Sequence, residues 1–178
     1  MAAILLAACT AVPSRPPLSA NFAVDAPFAI DGRLSVRRGS DAVTANFSWR
    51  HAPPRDDLTL STPLGQTLAE ISADASALRY ELRGSDGRRE DADNWSTLTE
   101  RVLGAPLPVG GLATWIVAAP RADAPYSIEP DALGRTAVLW QDGWEIVYTY
   151  SDAEARLPAR LQLSQFDIEL RIVVLQRH

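Results

Sequence analysis

From residue 28 onward, hydrophobic and polar side chains alternate along most of the chain. Phe28, Ile30, Leu34 and Val36 are set against Ala29, Asp31, Arg33 and Ser35, the two-residue period of a strand with one buried face. Val43, Ala45, Phe47 and Trp49 repeat the pattern after a break at Arg38-Gly39-Ser40-Asp41, which predicts an antiparallel hairpin. Leu58 and Leu60 continue it, then Ala69 and Ile71, then Leu78, Tyr80 and Leu82, with turns expected at Thr62-Pro63-Leu64-Gly65 and Ser85-Asp86-Gly87.

The period then changes. Trp95, Leu98 and Val102 fall at i, i+3 and i+7, so a helix is predicted, with Asp93 as its N-cap and Gly104 as its stop. Leu112, Trp115 and Ile116 predict a second short helix, entered from Pro106-Leu107-Pro108 and closed by Pro120. Strands resume in a hairpin around Asp142-Gly143, the strongest short-range turn signal in the chain. Trp144, Ile146, Tyr148 and Tyr150 share one face of its second strand. Leu157, Leu161 and Leu163 precede the longest alternation, Phe166, Ile168, Leu170, Ile172 and Val174 against Asp167, Glu169 and Arg171.

So many strands without βαβ spacing predict a mainly β, α+β domain. The pattern asks for about ten antiparallel strands curving until the sheet closes on itself, with the helices as lid or plug. Inward positions are almost wholly apolar. Either they fill an ordinary β-core or they line a cavity for a greasy ligand, and both readings stand at this level.

Composition narrows the chemistry. Net charge is −5 and no stretch is basic enough to follow a phosphate backbone, so nucleic acid is not an expected partner. Every basic residue is arginine. His51, beside Pro53-Pro54, and the terminal His178 are read as surface residues, and neither has a metal-ligand spacing. Asp56-Asp57 and Glu90-Asp91 are read as solvated charge in turns, not as a tuned acid and base. No nucleophile-base pair, phosphate loop or metal set is visible, so no catalysis, no metal and no cofactor are expected.

Cys9 is the one cysteine, so it has no partner for a disulfide within the chain. The apolar run before it is far shorter than the ~20 residues a spanning helix needs. Leu6-Ala7-Ala8-Cys9 resembles the bacterial lipobox, which implies cleavage before Cys9 and lipidation of its sulfur. Residues 1–8 are then a signal peptide, residues 9–26 the lipidated cysteine and a Pro-rich flexible tether, and residues 27–178 the folded domain. Met1-Ala2-Ala3 lacks the basic residues expected of a signal peptide, which points to a translation start further upstream. Thr10, in place of the aspartate that retains many lipoproteins in the inner membrane, implies the periplasmic face of the outer membrane of a Gram-negative cell.

Across the domain the chain is similar to the outer-membrane lipoprotein receptor LolB family. The likeness rests on Gly32-Arg33-Leu34, Phe47-Ser48-Trp49, Pro63-Leu64-Gly65 with Thr67, Leu103-Gly104 with Pro106-Leu107-Pro108, Leu112 with Trp115-Ile116, Gly143-Trp144 through Tyr148 and Tyr150, and Leu157-Pro158. Two positions depart from the family: Trp115-Ile116-Val117-Ala118-Ala119-Pro120 has Ala where a turn glycine is usual, and the C-terminus lacks a frequent Trp.

The resemblance implies an incomplete, half β-barrel with helices across its open side, enclosing an apolar cavity. Such a receptor accepts acyl chains of lipoproteins from the periplasmic carrier LolA and releases them into outer-membrane lipid, without nucleotide. Each methylene exposed to water costs ~0.8 kcal/mol, so the chains must stay covered in transit. The expected cavity residues are Phe28, Ile30, Leu34, Phe47, Trp49, Leu60, Leu98, Trp115, Ile116, Trp144, Ile146 and Tyr148. The Pro63-Leu64-Gly65 loop is expected to insert Leu64 into the membrane, its rival reading being a leucine folded back over the barrel end. A monomer is expected. The alternative for the whole chain is a structural outer-membrane lipoprotein with a filled β-core, acting as an assembly or interaction module.

Overall fold

The computed structural model describes residues 26–178, so Cys9, the signal peptide and nearly all of the tether lie outside the described residues. The elements are β1 (Phe28–Arg38), β2 (Asp41–Ala52), β3 (Arg55–Ser61), β4 (Thr67–Asp74), β5 (Arg79–Gly84), β6 (Arg89–Ala92), α1 (Trp95–Leu103), α2 (Val109–Trp115), β7 (Tyr126–Pro130), β8 (Thr136–Gln141), β9 (Trp144–Thr149), β10 (Arg160–Gln165) and β11 (Ile168–Arg177). The eleven strands form one antiparallel sheet in the order β6-β5-β4-β3-β2-β1-β11-β10-β9-β8-β7.

Every neighbour in that order is also a neighbour in sequence, except β1 with β11. The sheet is therefore a meander cut once, between β6 and β7, and those two strands are its free edges. It does not close on itself, as the alternation alone had suggested. The chain must cross from one edge to the other between Asp93 and Pro125, and it makes that crossing over the buried face, as α1, α2 and their connections. Leu34, Phe47, Leu60 and Ile71 from the left of the sheet, and Leu139, Ile146, Leu163 and Leu170 from the right, form one core with Leu98, Leu107, Leu112 and Trp115 of the crossover.

Turn chemistry sets the register. Asp142 and Gly143 have φ of 53° and 78°, which makes the two-residue link that matches strand twist, and Gln141 pairs with Trp144 across it. Because neighbours alternate in direction, the turns at 39–40, 62–66, 85–88, 142–143 and 166–167 gather at one end of the sheet. Residues 53–54, 75–78, 131–135 and 150–159 lie at the other end, where β1 begins and β11 stops.

Gly32 solves a packing problem in the middle of β1. It faces Phe47 of β2, and a Cβ there would stand 2.3 Å from the Val173 carbonyl oxygen and 2.7 Å from the Phe47 ring. Its absence lets the ring lie across the strand, beside an irregularity in the β1–β11 ladder.

Several local expectations change. The N-cap of α1 is Asn94, whose side chain accepts from Thr97 N at 3.0 Å; Asp93, one residue earlier, is outside the helix. Phe166 is not the first residue of the last strand but the tip of the β10–β11 turn, with φ of 51° and full exposure. Leu78 likewise sits in a turn, with φ of 49°. Tyr150 lies just beyond β9, and its hydroxyl donates to the Thr136 carbonyl at 2.9 Å. Asp56-Asp57 and Glu90-Asp91 fall on β3 and β6, not in turns.

Candidate functional site

A small apolar cavity lies between the sheet and the crossover, with a volume of about 30 Å³. Its wall is Leu34 of β1, Phe47 and Trp49 of β2, Leu58 of β3, and Leu170 and Ile172 of β11. Its cap is Leu107 before α2, Val109 and Leu112 within it, and Ile116 at its end. The one polar atom on those side chains, Trp49 Nε1, is occupied by Asp56 Oδ1 at 2.8 Å. The site offers contact to hydrocarbon and nothing to a charge.

The cap is held by polar contacts at its two ends. At the front, Leu107 N donates to the buried Thr99 Oγ1 of α1 at 2.8 Å. At the back, Trp115 Nε1 donates to Gln141 Oε1 at 2.8 Å, Thr136 Oγ1 to the Ala118 carbonyl at 3.1 Å, and Arg177 Nη2 to the Ile116 and Pro158 carbonyls at 3.2 and 2.9 Å. Burial lowers the pKa of Arg177, and no carboxylate pairs with it among the described residues. Between these pins, Val109 through Leu112 contribute only apolar side chains and glycines. Gly111 is needed because Trp115 folds back over it, where a Cβ would stand 2.7 Å from the indole ring.

Of the twelve expected cavity residues, Leu34, Phe47, Trp49 and Ile116 line this space. Ile30, Leu60, Leu98, Trp115, Trp144, Ile146 and Tyr148 are buried in the surrounding core, and Phe28 is half-buried against the Trp49 ring, centroids 5.0 Å apart. Burial raises the Tyr148 pKa well above 10.0, and its hydroxyl has no hydrogen-bond partner among the described residues. Of the other six lining residues, Leu58, Leu112, Leu170 and Ile172 fall on apolar faces that the sequence predicts, without being singled out there for the cavity. Leu107 and Val109 flank a proline and lie outside any recognisable period.

At one end of the sheet the β3–β4 turn is closed by Thr62 N to the Gln66 carbonyl at 2.8 Å and Gly65 N to the Thr62 carbonyl at 2.9 Å. Gly65 takes φ of 87°, open to glycine at no steric cost, and Leu64 projects 92% exposed. It does not fold back over the sheet.

The family described as Outer membrane lipoprotein LolB matches residues 26–176, nearly all of the described domain. This chain belongs to that family. It is 36% identical to the outer-membrane lipoprotein LolB of Azoarcus sp. (strain BH72), over 98% of this chain and 90% of the relative. It is 34% identical to that of Chromobacterium violaceum, over 97% and 92% respectively. Among solved structures, a LolA superfamily protein, NE2245 from Nitrosomonas europaea, covers 86% of both chains at 6% identity, with a TM-score of 0.48.

One departure noted in the sequence has a structural counterpart. Ala118 takes φ of 59°, a left-handed conformation that a Cβ disfavours. His51 corrects another expectation. It is buried rather than on the surface, with Nδ1 2.8 Å from Asp56 Oδ1 and its ring stacked on Phe28. Asp56 thus receives both the Trp49 indole and the His51 imidazole, and serves to fix one wall of the cavity.

Proposed function

We propose that this chain is a lipid-anchored receptor on the periplasmic face of the outer membrane. It receives the acyl chains of lipoproteins from a LolA-like carrier and passes them to the bilayer, making and breaking no covalent bond. Cys9 carries the anchor, residues 10–26 are the tether, and Leu64 touches the membrane during release. The observation that carries this reading is a wholly apolar cavity roofed by a segment pinned only at its ends, in a chain of the LolB family.

The open space, about 30 Å³, is far too small for an acyl chain. Loading therefore requires the cap to move, and the side chains now filling the core to part around the hydrocarbon. Release into lipid lets them close again, so the empty receptor regains its packing as it delivers. That closure biases transfer towards the bilayer without an external energy source.

The same small volume favours a second reading, a filled β-core that serves only as an assembly module. One experiment separates the two. A carrier loaded with an acylated lipoprotein is mixed with the purified receptor, and native mass spectrometry asks which protein holds the lipoprotein. Transfer to the receptor is expected; a receptor that never acquires it would leave the module reading.

A further inference from the structure

Phe166 is a second apolar point on the rim that carries Leu64. It is 101% exposed, at the tip of the β10–β11 turn, with φ of 51°. That conformation suits Gly or Asn, and a bulky aromatic there is an outlier. The backbone accepts strain to put a large apolar side chain where it touches nothing, which calls for a use outside the fold. The two tips are four strand spacings apart, about 19 Å along the sheet, on either side of the β1–β2 turn.

Three features of the rim say what Phe166 meets. Tyr126 and Trp140 line one open groove with it, and both are exposed, which matches the preference of Tyr and Trp for the membrane-water interface. Three of the rim carboxylates are paired, Asp142 with Arg121 at 2.8 Å, Asp86 with Arg88 at 3.3 Å and Asp167 with Arg38 at 3.6 Å, while Asp41 and Glu145 have no ion pair among the described residues. At the opposite end Leu78, Leu133 and Leu175 are exposed too, but the exposed aromatic residues among the described residues, Tyr126, Trp140 and Phe166, all lie at this rim. Finally, a tether of nineteen residue steps from Cys9 to Phe28 reaches at most about 65 Å, and β1 is only about 36 Å long. Although β1 starts at the far end, the rim can meet the membrane that holds the anchor.

We infer that Phe166 inserts into the outer-membrane interface together with Leu64, forming a two-point contact that sets how the rim lies on the bilayer. The inference rests on the delivery reading above. One apolar point lets the domain pivot; two, placed across the β1–β2 turn, remove one axis of rotation.

The test uses the full chain with Cys9→Ala, which removes both the anchor and the one thiol. Partitioning onto vesicles of phosphatidylethanolamine and phosphatidylglycerol is measured by flotation. Phe166→Asn suits the left-handed backbone, so its thermal midpoint is expected to hold or rise, while its partition coefficient falls about tenfold. Leu64→Asn is expected to lower partitioning similarly. A bimane label on Phe166→Cys should shift to the blue on vesicles, and one on Leu78→Cys should not. If Phe166→Asn partitions like its parent while Leu64→Asn is weakened, the inference fails and the delivery reading survives. If Phe166→Asn spares vesicle binding but weakens capture from the loaded carrier, the tip belongs to a protein contact and the inference fails. If the parent itself does not partition, both fall.

Discussion

The indole N–H of Trp115 donates to Gln141 Oε1 at 2.8 Å, joining the last turn of α2 to the end of β8 with both side chains buried. Gln141 also accepts from Arg121 N at 2.8 Å and donates to the carbonyls of Arg121 and Ala124. One amide thus orders the whole exit of the crossover. Trp115→Phe removes the indole donor while leaving Gln141 its other partners. It is expected to cost about 2 kcal/mol in urea unfolding and to speed uptake of a fluorescent fatty acid in stopped flow, because the cap is then held less firmly.

Ala118 follows that pin with φ of 59°. Ala118→Gly should relieve about 1 kcal/mol of backbone strain, raising the urea midpoint. A lowered midpoint would mean that the surrounding segment depends on the alanine methyl.

Gly32→Ala should act in the opposite sense. The new methyl would meet the Val173 carbonyl oxygen at 2.3 Å, a backbone atom of the neighbouring strand that cannot swing aside. Destabilisation of about 3 kcal/mol is expected, with the loss shared between β1 and the Phe47 wall of the cavity. Circular dichroism during thermal unfolding measures it.

Leu64→Glu separates delivery from acceptance. Leu64 is 92% exposed, so folding and capture from the carrier should be nearly unchanged, while insertion loses roughly 1.5 to 3 kcal/mol of apolar burial. Trp115→Glu or Phe47→Glu places a charge in the core and should damage folding or acceptance itself. Scoring receptor-bound and membrane-inserted lipoprotein separately reads both steps.

Asp131 gives a pH test. Burial alone would raise its pKa, but the backbone N–H and guanidinium of Arg135, with the N–H of Leu133, outweigh that and hold it below the ordinary 3.8. A carboxylate depressed in the folded state contributes stability that is complete above 3.8 and is lost as pH falls through the folded value. Wild type should therefore exceed Asp131→Asn in urea midpoint at about pH 6, and the gap should narrow at about pH 2.

Elements whose signal is local were legible in the sequence. Alternation placed β1, β2, β9 and β11, and Asp142-Gly143 marked the β8–β9 hairpin because only a few dipeptides fit that twist. Phe166 misled for the same reason: it continues the apolar period, and nothing in the pattern says that the chain reverses there rather than after it. His51 read as surface because its partner Asp56 lies on the next strand, across the Pro53-Pro54 turn, and pairing between strands has no signature in a linear count. The cap residues Leu107 and Val109 gain their role only because the crossover must pass over the buried face, a consequence of which strands end up at the edges.

Those edges have a further consequence. An open sheet leaves two rows of unpaired backbone groups, and tethering many copies to one membrane would crowd such rows together and invite strand-to-strand polymerisation. Here the outermost strands are the two shortest, four and five residues. One is Arg-Glu-Asp-Ala, with three charges in four positions; the other ends in Pro130, which cannot donate to an incoming strand. The fold can thus stay open enough to admit hydrocarbon without offering its margins as a template for aggregation.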